Sequence, residues 1–371
     1  GLRVSEAETD VAGQPLPPYE VKDASSSLIE ERRFDPYVMF TQKGVSFSVE
    51  AGLRYEMTDS EVGLDGNVVD NDYAALLPSL NMQWRVGAND RITTSLAKTV
   101  RRPSFNYLSP LYLEGEYGDN DFIGNPELEQ ETALGLDVGY EHRLGRFGVV
   151  GINGFYRSVD SLIEIVSTGL PSEQAIEDFE EEVEEFLDQN PGADENTPGF
   201  PAFDPDSFLY TSANVGNGEV YGFEFDMSTP LTAIGLPNTG LFANYTWLDS
   251  SVDDRFGERR FNDQAEYVYN IGFIQDLPEA GFSFGASYRR QGDAYSRLLA
   301  EEVVTVYGAD LEVFLEKRFG DKFVLRLTGS NLLDASKDEF FNKFDTEQDQ
   351  IDRDFDEYEE ETETAGPVFQ L

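Results

Sequence analysis

Residues 219–227 read EVYGFEFDM. Tyr221, Phe223, Phe225 and Met227 alternate with Gly222, Glu224 and Asp226. A period of two is the signature of a β-strand, whose successive side chains point to opposite faces. In most strands the apolar side faces an interior. Here the side opposite the aromatic wall carries carboxylates, which are costly to bury unpaired. The stretch therefore asks which face of this strand is the outside.

The same alternation recurs along the chain. In VSFSVEAGLRYEM, Val45, Phe47, Val49, Ala51, Leu53, Tyr55 and Met57 share one face, and Ser46, Ser48, Glu50, Arg54 and Glu56 share the other. In VVTVYGADLEVFLEK, the residues Tyr307, Ala309, Leu311, Val313 and Leu315 oppose Gly308, Asp310, Glu312 and Glu316. ALGLDVGYE, YVYNIGFIQ and FVLRLTGSN follow the same rule. The connections supply a second signal. TQKG at 41–44, GAND at 87–90, LGRF at 144–147, PEAG at 278–281 and RFGDK at 318–322 are tight, with 228–240 intermediate. Residues 59–72, 101–129, 167–206, 251–262 and 333–358 read as long connections. Short and long alternate without a break. That pattern describes an antiparallel transmembrane β-barrel of the bacterial outer membrane, with short periplasmic turns, long extracellular loops and an outward apolar face. The expected fold is all-β, with about 13–14 strands. A soluble all-β binding or structural protein is the alternative that alternation leaves open. The charge of the polar face and the aromatic strand ends favour the membrane.

Composition narrows the function. The chain has 371 residues, a formal net charge of −45, no cysteine and one histidine, His142. Mean hydropathy is −0.42, and no apolar run is long enough for a transmembrane helix. Without cysteine there is no disulfide framework and no thiolate metal site. One histidine leaves little material for a zinc centre or a Ser-His-Asp triad. Nucleic acid is an unsuitable partner for so acidic a chain. Carboxylate pairs arise by chance among 72 acids, so they do not mark a glycosidase, and the chain is read as a non-enzyme with no cofactor. Arg54, Arg326, Glu50, Glu224, Asp310 and Glu312 are expected to form ion pairs on the inner face.

Charge is also polar along the fold. Lys43, Arg146, Arg318 and Lys322 sit in tight turns, while YGDNDF at 117–122 and DTEQDQIDRDFDEYEEETE at 345–363 put acids in long loops. Tyr117, Asp119 and Asp121 are candidate ligand contacts there; whether the acids hold a metal is left open. In SEQAIEDFEEEVEEFLDQN at 172–190, Ile176, Phe179, Val183, Phe186 and Leu187 fall at helical spacing. Ser172 can cap the start, and Asn190-Pro191-Gly192 ends it. A short amphipathic helix is expected inside the loop 167–206, an insertion in an otherwise single domain over 1–371. Phe179 and Phe186 would pack on other loops or line a lid.

At residues 92–131, ITTSLAKTVRRPSFNYLSPLYLEGEYGDNDFIGNPELEQE, the chain resembles the barrel of TonB-dependent receptors. The resemblance rests on Arg102, Pro103 and Phe105 of an R-P-x-F element, then on Gly124, Asn125, Pro126, Leu128 and Glu131. It continues through Phe155, Tyr156, Asp160 and Ile163, through NVGNGEVYGFEFDMSTPL with Gly222 and Glu224, and through ANYTWLDS. LRLTGSNLLD supplies an N-L-x-D element with Asn331, Leu332 and Asp334, and upstream AGLRYEMT resembles the family's G-x-R-Y-E strand. The resemblance implies a receptor that takes up a large scarce nutrient, of the ferric siderophore, haem, cobalamin or oligosaccharide class. It implies loops that capture the ligand, a plug driven by TonB, and contact with outer-membrane lipid and lipopolysaccharide. A passive porin-like channel is the alternative within membrane proteins. The motif residues are assigned structural roles. No plug precedes the barrel pattern, family barrels reach about 22 strands, and the chain ends in PVFQL with Leu371 last. The expectation is the C-terminal portion of a receptor barrel.

Overall fold

The computed structural model describes residues 27–64, 67–117, 120–203, 205, 207–254, 257–298, 300–320, 322–344 and 347–371. The strands are β1 (Ser27–Phe34), β2 (Tyr37–Lys43), β3 (Phe47–Leu64), β4 (Asn67–Arg85), β5 (Asp90–Arg101), β6 (Tyr112–Tyr117), β7 (Asn120–Ile123), β8 (Glu131–Leu144), β9 (Gly148–Pro171), β10 (Phe208–Leu231) and β11 (Leu236–Asp254). They continue with β12 (Gly257–Arg259), β13 (Tyr267–Leu277), β14 (Phe282–Gln291), β15 (Ala294–Leu298), β16 (Glu301–Tyr307), β17 (Asp310–Phe319), β18 (Phe323–Ser330), β19 (Ser336–Lys343), β20 (Glu357–Thr364) and β21 (Val368–Gln370). The α-helices are α1 (Phe105–Leu108), α2 (Glu173–Gln189) and α3 (Glu347–Asp352).

The wall is an antiparallel meander. Strands β1 and β2 both pair with β3 in one unbroken register, Phe34 opposite Met57 and Tyr37 opposite Arg54. They are one strand interrupted at Asp35-Pro36, where proline has no N–H to give to a ladder; the Pro36 carbonyl still accepts from the Tyr55 N–H at 3.0 Å. From there β3, β4, β5, β8, β9, β10, β11, β13, β14, β17, β18 and β21 follow in order. Counting β1–β2 once, these make thirteen wall positions. Among the described residues the two outermost strands do not pair with each other, so the sheet is open.

One face of this wall is apolar and exposed. Phe47, Leu53, Tyr55, Leu136, Ile152, Tyr221, Phe223, Ile271, Phe273 and Leu327 all lie on it with large exposed areas. Phe223 pairs across to Trp247 and Phe225 to Tyr245, and the Phe223 ring contacts both Trp247 and Tyr245. Glu224, opposite Thr246 and Asn153, points the other way. The aromatic side of EVYGFEFDM is therefore an outside, and the carboxylate side is the face over which the loops fold. On that polar face glycines admit neighbouring rings. A Cβ on Gly285 would lie 2.6 Å from the Phe314 ring, and one on Gly222 would lie 2.8 Å from the Phe155 ring. Each ring occupies space that a Cβ would need, and Arg326 stands over the Phe314 ring at 4.7 Å.

The two ends of the wall differ. At one end the turns are tight, and Gly145, Gly235, Gly281 and Gly320 take the positive φ that such turns favour. At the other end the strands run on. Residues 59–64 and 67–72, within a stretch read from the sequence as a loop, form a ladder in which Leu64 pairs with Asn67. Residues 251–262 hold the β11–β12 hairpin, and 333–358 hold β19, α3 and the start of β20. The polar residues that suggested loops occupy strand that has outgrown the apolar band, so nothing selects for alternation there. Four of these extensions, β15, β16, β19 and β20, pair as a second sheet. The buried apolar groups also lie at this end: Val62, Leu108, Leu128 and Ile163 form one cluster, and Val159, Leu162 and Val252 another.

The facing of β10 predicts a labelling pattern. The chain has no native cysteine, so single cysteines at Phe223 and Phe225 should react with lipid-phase reagents, and those at Glu224 and Asp226 with aqueous ones. Phe225→Arg should destabilise the inserted barrel by about 2–4 kcal/mol, measured by denaturant titration in vesicles. Equal labelling at all four positions would contradict the assignment of faces.

Candidate functional site at the loop end of the sheet

A charged node fixes the first large loop. Glu56, whose side chain is 5% exposed, receives three guanidinium groups: Arg33 at 2.9 Å, Arg54 at 3.0 Å and Arg102 in a short contact. Asp35 bridges Arg33 at 2.5 Å and Arg54 at 2.6 Å. The register places Arg33, Asp35, Arg54 and Glu56 on the polar face of adjacent strands. Arg102 comes from the end of β5, so the R-P-x-F element ties the chain leaving β5 to β3. Pro103 is buried beside it, while Phe105 stays exposed. Of the pairs expected on this face, Arg54 is in this node and Arg326 lies 4.0 Å from Glu316. Glu224 accepts from Asn153 at 3.5 Å, Glu50 from Thr41 at 3.5 Å, and Asp310 from the Asn331 N–H at 2.9 Å.

The rest of the motif closes that loop. Gly124 packs against the backbone of Ser109 so closely that no Cβ fits. The Asn125 N–H donates to the Tyr107 carbonyl at 2.6 Å, and its side-chain amide donates to the Ser212 carbonyl at 3.1 Å. The Pro126 carbonyl accepts from Asn71, and the Leu128 carbonyl from the Tyr73 hydroxyl. Leu128 itself is buried against Val62, Leu108 and Ile163. Glu131 accepts from Arg101 at 2.7 Å and from the Ile163 N–H at 3.2 Å. Together the motif residues join the loop to β4 on one side, through Asn71 and Tyr73, and to β9–β10 on the other, through Ile163 and Ser212.

The predicted ligand contacts have separate fates. Asp121 is buried. It accepts from the Tyr112 hydroxyl and from the Glu173 N–H, so it anchors the start of α2. Burial, and behind it the bond to Asp121, push the Tyr112 hydroxyl far above the usual phenol range, and it stays a donor. Tyr117 ends β6, its side chain outside the described residues, as is all of Asp119. Helix α2 forms as expected: the Ser172 hydroxyl accepts from the Ala175 N–H at 3.0 Å, and Asn190 caps the other end. Phe179 packs edge-on against Phe203 at 4.9 Å, and Phe186 against Phe200 at 5.6 Å. Both rings face the irregular returning segment of their own loop.

A second node was not anticipated from sequence. Arg259 joins Glu164 at 2.5 Å and Asp254 at 2.6 Å, and Arg297 joins Asp254 at 2.9 Å. All four are almost buried. Close to them in sequence stand Val159, Leu162, Val252 and Phe261, which pack in one cluster. The N-L-x-D element acts elsewhere. Asn331 and Asp334 adopt left-handed backbone. The Asn331 side chain donates to the Gly366 carbonyl at 3.2 Å and accepts from the Ala335 N–H at 2.7 Å, while the Leu332 N–H donates to the Leu311 carbonyl. The element joins three strands where the wall meets the second sheet. Among the described residues, no cluster of His, Asp and Glu could hold a metal ion, and no helix is long and apolar enough to cross a membrane.

Removing the hub of the first node should be expensive. Glu56→Ala leaves Arg102 without its carboxylate and Arg33 and Arg54 with Asp35 alone, and about 1.5–3 kcal/mol of stability should be lost. Ser172→Ala should cost about 1 kcal/mol and fray only α2. Denaturant titration reads the first and amide exchange of residues 173–176 the second.

The comparisons agree with this architecture. The model of the family "TonB dependent receptor-like, beta-barrel" matches residues 7–332. No curated protein matches the sequence. Among solved structures, the FrpB iron transporter from Neisseria meningitidis is similar at 14% identity and a TM-score of 0.54, over 82% of this chain and 40% of that one. The ferric citrate transporter FecA is similar at 13% identity and a TM-score of 0.56, over 87% of this chain and 42% of that one. The ferric enterobactin receptor PfeA from Pseudomonas aeruginosa is similar at 15% identity and a TM-score of 0.52, over 83% and 49%. The chain therefore spans less than half the length of these proteins, and at such identities the likeness shows the fold. An apolar outer face, tight turns at one end, folded loops at the other and the family match lead to one conclusion: this chain belongs to the β-barrel family of TonB-dependent receptors.

Proposed function

We propose that the chain is loop-bearing barrel wall of an outer-membrane receptor that imports a large scarce nutrient with energy delivered through TonB. One observation carries the reading. The loops fold over the polar face at one end, and the opposite end is closed by tight turns. A ligand arriving from outside meets built structure; a solute crossing a passive channel would need none. The apolar face meets outer-membrane lipid and lipopolysaccharide, and the polar face meets the plug through which TonB acts. FrpB, FecA and PfeA are described as iron, ferric citrate and ferric enterobactin proteins. They favour an iron chelate among ferric siderophore, haem, cobalamin and oligosaccharide. Candidate contacts are Tyr117, Asp119 and the outer surface of α2. Asp121, Phe179 and Phe186 position these elements.

The reading predicts energised uptake. Cells that rely on the receptor containing this chain should take up radiolabelled ferric chelate only when TonB and the proton gradient are intact. Uptake that persists at the same rate without TonB would make the protein a passive channel. Uptake of none of the four nutrient classes would remove the receptor reading.

A further inference from the structure

A polar pair interrupts the apolar face at its tight-turn end. Ile92 and Tyr140 lie opposite each other on that face, and one step nearer the turns Asp90 lies opposite His142. Successive side chains on one face are two residues apart, so His142 stands between Tyr140 and Leu144. Both of these neighbours are exposed. On β9 the residue opposite His142 is Val150. Apolar side chains therefore stand above, below and beside the pair, which sits inside the lipid-facing band instead of past its rim. The β4–β5 turn at 86–89 and the β8–β9 turn at 145–147 flank it. His142 is the chain's single histidine.

The pair is left with acceptors to spare. The Asp90 Oδ1 accepts from the Tyr140 hydroxyl at 2.6 Å and meets the His142 Nδ1 at 2.8 Å. An ionised carboxylate only accepts, so Nδ1 carries the proton of that bond, and a neutral ring then presents Nε2 as an acceptor. The second carboxylate oxygen, Oδ2, is an acceptor as well. Among the described residues neither Oδ2 nor Nε2 has a partner. Gly87 lies beside Oδ2 and puts no side chain over it; a Cβ there would stand 3.6 Å away. Nor does the chain bring a cation. Among the described residues the one ion-pair partner of Asp90 is His142. Arg85 and Arg91 lie opposite each other on the polar face, with Arg91 bound to Glu141. Arg146 stands over the Phe147 ring at 5.2 Å. A carboxylate facing hydrocarbon is costly unless it is paired and hydrogen-bonded. What completes this one comes from the lipid side.

We propose that Asp90 and His142, with Tyr140 as a positioning residue, form a headgroup site for a phospholipid that carries a primary ammonium group. The ammonium donates one N–H to Asp90 Oδ2 and one to His142 Nε2, and its charge offsets that of the carboxylate. Tyr140 holds Asp90 through Oδ1. The chemistry selects among headgroups. A choline headgroup has the charge but no N–H to give. A glycerol headgroup has hydroxyl donors, but its uncompensated phosphate is repelled by Asp90. The site lies at the tight-turn end, so the lipid belongs to the periplasmic leaflet. The proposal rests on the outer-membrane reading for the presence of lipid and adds to it a place and a headgroup.

Native mass spectrometry reads the preference. The receptor containing this chain, purified in detergent, is offered dioleoyl phosphatidylethanolamine, phosphatidylcholine or phosphatidylglycerol. The native protein should bind phosphatidylethanolamine about tenfold more tightly than phosphatidylcholine, the effect of one charge-assisted hydrogen bond. Asp90→Asn should abolish that preference, and His142→Phe should cut it to about threefold. Tyr140→Phe leaves both open acceptors in place and should keep most of it. Phosphoethanolamine in water should not displace the lipid; displacement at equal concentration would make the ligand a free amine and overturn the lipid assignment. Equal binding of phosphatidylethanolamine and phosphatidylcholine, or a preference that Asp90→Asn leaves unchanged, overturns the proposal alone. Absence of lipid of every class would overturn it together with the outer-membrane reading. Heat-modifiable mobility identifies variants whose barrel has assembled.

Discussion

Every backbone N–H and C=O in the wall needs a partner inside the wall, because one of its faces has none to offer. A strand whose outward side is Tyr221, Phe223 and Phe225 can meet hydrocarbon only if its main chain is paired on both flanks. That constraint dictates the meander. Each strand finds its next partner through a tight turn or a loop, and the register is pinned because a slip of one residue would turn Glu224 outward. It also explains Pro36. A missing N–H is tolerated where β1 passes into β2, because those strands form an edge of the described sheet.

The loop end answers a different demand. There the polar face is covered by protein, and covered charges need partners. Glu56 with Arg33, Arg54 and Arg102, and Arg259 with Glu164 and Asp254, meet it with charge from different segments of chain. Each node joins elements far apart in sequence, and each sits beside a small apolar cluster that excludes water. The buried side chains are few and local. The barrel wall needs no core, so what core the chain possesses belongs to the loops.

This division explains what the sequence made legible. Alternation is imposed by two chemically different faces, so the strands of the apolar band were readable from Phe225 or Leu325 alone. The tight turns were readable because Gly145 and Gly281 mark them. Helix α2 was readable because a solvated helix must carry its own cap, at Ser172, and its own stripe. The ladder of 59–64 with 67–72 was not readable, since neither face of a strand beyond the membrane is obliged to be apolar. Asp121 looked like a ligand contact because an acid in a polar loop resembles any other acid; only the fold brings Tyr112 and the Glu173 N–H to it. Glu164 and Arg259 lie 95 residues apart, and no local pattern announces a pairing at that range.

The family motifs occupy the junctions between these two regimes. Arg102 and Pro103 stand where β5 leaves the wall, Gly124 through Pro126 where the chain returns to it, and Asn331 with Leu332 where the wall turns into the second sheet. None of these residues lines the apolar face, and all are buried or half-buried. Arg102 meets the Glu56 carboxylate, but the bonds of Asn125 and Asn331 are directed at main-chain groups, which are present whatever side chains the neighbouring segments carry. A residue that holds a junction by backbone bonds lets the loop beyond it vary freely in length and charge. The motifs therefore mark where one barrel can carry different mouths, and in this chain the acids of 345–363 and the helix at 172–190 lie beyond such junctions.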